Sequence, residues 1–466
     1  MLTPEAMTTS RPVDSLLSLI GNTPLVRIHA IDTGPCELYV KLESQNPGGS
    51  IKDRMALVMI EAAEKDGRLK PGGTIVEATA GNTGLGLALV AALKGYKLIL
   101  VIPDKMSQEK IFHLRAMGAQ VVLTRSDVGH GHPEYYMDLA KTIAEQRGAY
   151  YINQFENPTN PLAHEQSTGP EIWDQMEHRV DAVIAGVGSG GTLTGLARFF
   201  AKVSPKTEMI LADPAGSVLA EMSRTGKKGP DGAYLVEGVG GSFLPPVGDL
   251  SRVKTAYTVT DAESFETARE LLSKEGILGG SSSGTLVAAA LKYCRSQKQP
   301  RRVVTFICDS GNKYLSKMFN DYWMIDQGFI QREKFNDLRD LIARRHWEGA
   351  TVTIAPEDQL QAAYRRMKLY DVSQLPVLQD GKVVGILDES DMLAALMEDE
   401  NAFSRPVKSA MVQEVQTVES SRAPEDLIPI FKQGRVAVVV EPGPNGKFLG
   451  LITQIDLIHF MRRLAG

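Results

Sequence analysis

Pro47-Gly48-Gly49-Ser50-Ile51-Lys52-Asp53-Arg54 sets a lysine just behind a double glycine and at the head of a stretch that reads as a long helix. Gly48 and Gly49 let the backbone turn sharply. Lys52 then falls near the helix N-terminus, where the positive end of the macrodipole disfavours an ammonium. A lysine so placed loses its proton more readily, and a neutral amine is what nucleophilic attack on a carbonyl requires.

Two stretches downstream give this lysine a context. Thr79-Ala80-Gly81-Asn82-Thr83-Gly84 offers hydroxyls, an amide and glycine N–H groups just ahead of a second helix, a pocket suited to a carboxylate. Gly188-Ser189-Gly190-Gly191-Thr192 follows an apolar run that ends near Ala185. Its small residues let several N–H groups approach one phosphate, and the next helix adds its dipole. It is no P-loop, since no lysine follows the last glycine, and it lacks the GxGxxG spacing. Taken alone, the first stretch is equally a capped helix and the second a plain turn. Together the three supply an amine for an imine, an anion pocket and a phosphate cradle, the set a pyridoxal-phosphate enzyme needs.

Between about residues 15 and 320, short apolar runs alternate with helical stretches. Examples are Leu98–Ile102, Val121–Leu123, Ala182–Ala185 and Val303–Ile307. Such runs suit parallel strands covered on both faces by helices. The helix after Asn82 is rich in Ala and Leu, and Gly95 fits its stop. A doubly wound α/β core follows, with ligands expected at the carboxyl ends of the strands.

The chain has 466 residues, which implies two or three domains. A net charge of −5 argues against a nucleic-acid surface. No segment approaches the ~20 apolar residues of a membrane span, and no secretory signal is evident, so a cytoplasmic location is expected. Cys36, Cys294 and Cys308 are scattered, which argues against disulfides and structural zinc; no metal site is expected.

The tail repeats itself. Ala355-Pro356-Glu357-Asp358 recurs as Ala423-Pro424-Glu425-Asp426, and Val383–Leu387 recurs as Phe448–Ile452, with an aspartate (Asp391, Asp456) six places after the shared glycine. Each copy reads helix, strand, strand, helix, and the Ala-Pro-Glu-Asp runs read as helix starts. The expected division is a catalytic core over 1–325, a charged, partly helical linker over 326–345, and repeat copies over 346–403 and 404–466.

The chain resembles the cystathionine β-synthase family, within the fold-type II group of pyridoxal-phosphate enzymes. The resemblance runs over essentially the whole length and rests on GGSIKDR, AGNTG, DKMSQEK, NQFENPTNPLAH, GSGGTLTG, EGVG and GGSSSG. The tail resembles the paired CBS modules, also called a Bateman module. The resemblance implies a tryptophan synthase β-like core of twisted, mostly parallel sheets followed by a tandem α/β CBS module. It implies that Lys52 holds pyridoxal 5'-phosphate through an imine and then acts as base at Cα. Asn82 would bind the ring oxygen, and Gly188, Ser189, Gly190, Gly191 and Thr192 the phosphate. Ser282 would face the pyridine nitrogen, with Ser281 and Ser283 leaving the register open. Thr79, Ala80, Asn82, Thr83 and Gln154 would line the substrate carboxylate pocket. A hydroxyl opposite the ring nitrogen leaves the ring a poorer electron sink, which favours prompt β-elimination over transamination.

The implied reaction replaces the hydroxyl of L-serine by the thiol of L-homocysteine, giving cystathionine and water; hydrogen sulfide release is an expected side reaction. The family's animal and yeast members carry tyrosines where this chain has Phe155 and Gly241, and a serine where it has Ala80. These losses tilt towards O-acetylserine sulfhydrylase as the alternative enzyme. The non-enzyme alternative is an adenosyl-nucleotide sensor on an inert core. No haem is expected, because the family's haem-binding extension has no counterpart before the core. In the tail, Thr453 and Asp456 match the module's nucleotide pattern, whereas the first copy has Asp388 in the threonine place, beside Asp391. An adenosyl ligand there is an expectation, set against a purely structural pairing module. A homo-oligomer, dimer or tetramer, is also expected.

Overall fold

The computed structural model describes residues 12–79, 81–104, 108–129, 131–444 and 446–465. The chain divides into two compact units, Met1–Phe319 and Asn320–Gly466.

The first unit holds two sheets. Six strands run in the order β1 (Leu25–Arg27), β2 (Glu37–Leu42), β10 (Arg302–Ile307), β7 (Ala182–Gly186), β8 (Glu208–Pro214) and β9 (Val253–Val259). All pair in parallel except β1, which runs antiparallel to β2. The second sheet, β5 (Gln120–Thr124), β4 (Lys97–Pro103), β3 (Thr74–Ala78) and β6 (Tyr150–Tyr151), is parallel throughout. Of the four apolar runs read from the sequence, three are the central strands β4, β7 and β10, buried along nearly their whole length like β8; the fourth, Val121–Leu123, is the edge strand β5, which is largely exposed or half-buried. The four-stranded sheet has an apolar cluster on each face. One includes Met55, Ile60, Leu87 and Leu100; the other includes Val76, Ile99, Val101 and Ala144.

The helix Lys52–Lys65 begins at the lysine itself, after Gly49 at φ +76°. The helix Asn82–Lys94 begins at Asn82 and ends on Gly95 at φ +75°, whose N–H reaches Ala91 O. Left-handed backbone there is the common helix stop that only glycine adopts freely.

The second unit contains both repeat copies, each with its own core. The first has the helix Leu360–Tyr370, the hairpin β11 (Gln374–Gln379) and β12 (Lys382–Asp388), and the helix Glu389–Glu398. The second has the sheet β13 (Thr417–Glu419), β14 (Ala437–Val440) and β15 (Phe448–Ile452), then the helix Gln454–Ala465. Two sequence expectations need amending. Ala355–Asp358 forms a turn closed by Asp358 N–H to Ala355 O, and the helix waits until Leu360; only Pro424–Leu427 is helical, as a 3-10 turn. The stretch read as a charged linker is partly core, since Leu338, Leu341 and Ile342 are buried among Val418, Leu427 and Ile452 of the second copy. No helix among the described residues is long and apolar enough to cross a membrane.

Candidate active site

Parallel strands put their carboxyl ends on one side, and the loops that leave them build the site. The turn before Lys52 is stitched to the end of β10: Ile51 N–H donates to Cys308 O (2.9 Å) and Ser310 N–H to Gly49 O (3.1 Å). Gly48 cannot carry a side chain, because a Cβ would lie 2.5 Å from Asp53 Oδ1. Asp53 accepts from Gly48 N–H at 2.5 Å, and burial pushes its carboxyl up to about 7. Lys52 is half-buried; desolvation lowers its pKa, against the opposing pull of Cys308 and Asp309. The amine is thus biased towards the neutral form that the sequence argument asks for.

At the end of β7 the loop 188–191 leads into the helix Gly191–Val203. Three of its glycines are enforced by crowding. A Cβ on Gly188 would sit 2.6 Å from Gly238 O, on Gly190 2.7 Å from Gly248 Cα, and on Gly191 1.9 Å from Asn160 Oδ1. Asn160 Nδ2 in turn donates to Gln154 O (2.8 Å) and Ser189 Oγ (3.0 Å). Thr192 Oγ1 lies 3.2 Å from Nε2 of the buried His164, whose pKa is held well below its ordinary value chiefly by burial. A bare backbone cradle at a helix N-terminus fits a phosphate.

At the end of β3 the helix Asn82–Lys94 starts from Gly81 with no side-chain cap; Gly84 N–H turns back to Gly81 O (3.0 Å), and the N–H groups of Asn82 and Thr83 lie ahead of it at the helix start. Thr83 Oγ1 donates to Gln154 Oε1 at 2.8 Å, and Thr79 Oγ1 accepts from Gly81 N–H at 3.3 Å. Ala80 lies outside the described residues.

Three consecutive serines open the helix Ser281–Arg295. Ser281 Oγ accepts from Glu237 N–H (3.0 Å) and Ser283 Oγ from Cys308 N–H (3.0 Å), so both point into the protein framework. Ser282 is the one of the three that faces the cavity.

Lys52, Thr79, Asn82, Thr83, Gln154, the loop 188–192 and Ser282 all line one cavity of about 760 Å³. It brings together a partly desolvated amine, two helix N-termini and the Ser282 hydroxyl, which suits a flat, phosphorylated aldehyde with an attached amino acid. The cavity also holds groups to which the sequence reading gave no role. Glu237 is paired with both Lys110 and Lys317, the latter at 2.7 Å. Lys110 also stands 5.1 Å over the Tyr314 ring. Lys110 and Glu237 belong to the DKMSQEK and EGVG runs; Lys317 had no sequence signal, since its partner is 80 positions away. Phe155 and Phe243 meet at 6.4 Å between ring centroids on the cavity wall, which Gly241 also lines. Tyr135, Tyr136 and Tyr234 line the same space.

In the second unit, Thr453 N–H and Oγ1 both donate to Asp456 Oδ2 (2.7 and 2.5 Å) at the head of the last helix. Asp388 and Asp391 exchange backbone bonds of 2.9 Å in a reciprocal capping box. Asp388 and Asp391 thus cap the helix Glu389–Glu398, while in the second copy the Asp456 side chain reaches back to Thr453 N–H, one half of the same motif.

This combination of fold and site is that of a fold-type II pyridoxal-phosphate enzyme carrying paired CBS domains. Residues 16–309 match the pyridoxal-phosphate dependent enzyme family, and residues 349–398 and 407–463 match the CBS domain. The chain is 35% identical to cystathionine beta-synthase of Dictyostelium discoideum, over 97% of this chain and 93% of that protein. It is 36% identical to the Saccharomyces cerevisiae enzyme of the same name, over 96% and 97%. Among solved structures, a hydrogen sulfide-producing enzyme from Fusobacterium nucleatum is 40% identical with a TM-score of 0.61, covering 65% of this chain and 100% of that one. The chain belongs to the cystathionine beta-synthase family of pyridoxal-phosphate-dependent enzymes.

Proposed function

We propose that the protein joins L-serine to L-homocysteine, forming cystathionine and water, with Lys52 as the residue that carries pyridoxal phosphate. When bound, that cofactor withdraws electrons from the Cα of an attached amino acid. The chain supplies the rest. Once the substrate amine has taken its place on the cofactor, the freed and partly desolvated Lys52 amine takes the proton from Cα, and its ammonium gives that proton to the departing hydroxyl, which leaves Cβ as water; the homocysteine thiol then adds to Cβ as its own proton passes through Lys52 to Cα. The N-terminus of the Asn82 helix, with Thr79, Thr83 and Gln154, holds the substrate carboxylate and fixes Cα above Lys52. The 188–192 loop anchors the cofactor phosphate, and Ser282 faces its ring nitrogen with a hydroxyl rather than a charge. The observation that carries the reading is the meeting of Lys52 with two open helix N-termini in one cavity.

The test sets serine plus homocysteine beside O-acetylserine plus sulfide. Faster turnover of the first pair is expected. Much faster use of the second would reassign the protein as an O-acetylserine sulfhydrylase, a reading favoured by Phe155 and Gly241 in the cavity wall. Borohydride reduction followed by peptide mass spectrometry should place the cofactor on Lys52, and Lys52→Ala should abolish both label and turnover.

For the tail we propose an adenosyl ligand near Thr453 and Asp456, and assembly of the whole chain into a homo-oligomer. The Asp456 carboxylate, already gathered by the Thr453 hydroxyl, suits a ribose diol. Calorimetric titration with adenosyl compounds tests the first, and light scattering the second. Absence of heat with every adenosyl compound would leave these residues as caps alone.

A further inference from the structure

Lys313 has no place in the roles set out above, yet it touches the residue assigned to the cofactor's ring oxygen. Its Nζ donates to Asn82 Oδ1 at 2.6 Å and reaches Gly49 O, in the turn before Lys52, at 3.5 Å. On the other side, Asn82 Nδ2 donates to Asp309 Oδ2 at 2.8 Å, and the Tyr314 hydroxyl donates to the same oxygen at 2.9 Å. Asp309 is fully buried, and its Oδ1 has no hydrogen-bond partner. That oxygen is packed against Gly280, where a Cβ would lie 2.0 Å away.

The chemistry of these partners leaves Asn82 one orientation. An ammonium only donates and a carboxylate only accepts. Oδ1 must therefore face Lys313, and Nδ2 must face Asp309. Nδ2 carries two hydrogens; Asp309 takes one, and the other is free for an acceptor in the cavity that Asn82 lines. Flipping the amide would set Nδ2 against an ammonium and Oδ1 against a carboxylate, losing both charge-assisted bonds at once. Burial lowers the Lys313 pKa on balance, with Asp309 and Asp53 opposing it and Lys110 adding to it, and burial raises that of Asp309 against its contacts with Lys313, Asn82 and Tyr314; the 2.6 and 2.8 Å contacts on the two sides of the amide are what set its orientation.

We propose that Lys313 and Asp309 are positioning residues that lock the Asn82 amide with one N–H aimed at the ring oxygen of the bound cofactor. This inference rests on the cofactor reading above and extends it to two side chains outside the cofactor contacts named there. A purely structural Lys313, one that only ties residues 308–314 to the Gly49 turn, would affect stability but not the state of the ring oxygen.

The experiment uses the full chain as Lys313→Met, Lys313→Arg, Asn82→Ala and the Lys313→Met/Asn82→Ala double variant, stripped of cofactor and titrated with pyridoxal phosphate. Lys313→Met is expected to weaken cofactor binding roughly tenfold and to shift the absorbance towards the form with a protonated ring oxygen. Lys313→Arg should restore most of both. The double variant should bind no more weakly than Asn82→Ala, because Lys313 acts through that amide. A folded Lys313→Met with wild-type absorbance and affinity overturns the proposal, as do additive losses in the double variant. If Lys313→Met does not fold, the isosteric Asp309→Asn takes its place, since it removes the acceptor-only partner; an unchanged absorbance there also overturns the lock. A wild-type chain that takes up no cofactor overturns the functional reading itself, whereas normal wild-type uptake beside an unaltered Lys313→Met defeats only this inference.

Discussion

At Gly86 the Asn82 helix passes against the carbonyl of Lys52, where a Cβ would lie 3.0 Å from Lys52 O and 3.2 Å from Ala56 Cβ. A glycine at this crossing lets the two helices lie close enough for their N-termini to open on the same cavity. A larger residue would push the Lys52 backbone away from the turn that holds it.

Gly86→Val should therefore cost about 1–3 kcal/mol of stability through overpacking. It should also lower the fraction of chains trapped at Lys52 by borohydride, measured at equal cofactor concentration. Wild-type trapping in a destabilised variant would show that the crossing does not set the position of Lys52.

Gly191→Ala meets a harder obstacle, because its Cβ would fall 1.9 Å from Asn160 Oδ1. Asn160 must then move, releasing Ser189 Oγ and Gln154 O. We expect cofactor affinity to drop by at least roughly tenfold, with each lost hydrogen bond worth about 1 kcal/mol. Direct titration of the stripped protein reads the effect.

Acid should unfold the first unit partly through Glu171. Burial acts to raise the pKa of this carboxyl, but hydrogen bonds and charge from Arg54, with help from Lys41, outweigh it and hold it at about 2. Arg54 contacts Glu171 and the buried Glu43, each at 2.7 Å. A depressed folded pKa gives stability that is complete above the unfolded value of about 4.3 and is lost as pH falls towards about 2. Glu171→Gln should cost about 2 kcal/mol at pH 7 and progressively less below pH 4, as followed by urea unfolding. A gap constant from pH 7 to 2 would contradict this assignment.

Glu77 has the opposite sign. Its carboxyl is buried in β3 with Oε2 lacking a partner; desolvation raises its pKa to about 8, against hydrogen bonds from Gln154 and Asn153. The unfolded chain releases this proton near pH 4 and the folded chain only near pH 8, so stability declines as pH rises through that window. Glu77→Gln removes the decline. Its stability relative to wild type should improve with pH, by at most about 1.4 kcal/mol per unit, when unfolding is compared at pH 5, 6.5 and 8.

The parallel strands and the three glycine-bearing loops were legible because each is a local pattern. An apolar run bounded by a turn, or a lysine behind two glycines, carries its meaning within a few residues. The register of Ser281, Ser282 and Ser283 was not legible, because it depends on Glu237 and Cys308, which are distant in sequence. Lys313 and Asp309 escaped for the same reason: their partner Asn82 is more than 200 positions away. The helix expected at Ala355 failed locally. Its Pro-Glu-Asp composition serves a turn equally well, and Gln359 is drawn into a bridge with Pro406 before the helix can begin.

The burial of Leu338, Leu341 and Ile342 fixes how the C-terminal unit can be cut. Leu338 N–H donates to Ser420 O, and a Cβ on Gly450 would sit 2.4 Å from Ile342 Cγ2, so the last repeat copy is shaped around a segment that precedes the first. A fragment begun at residue 346 would expose a greasy groove and is expected to clump. One begun before Asp337 would carry its own plug.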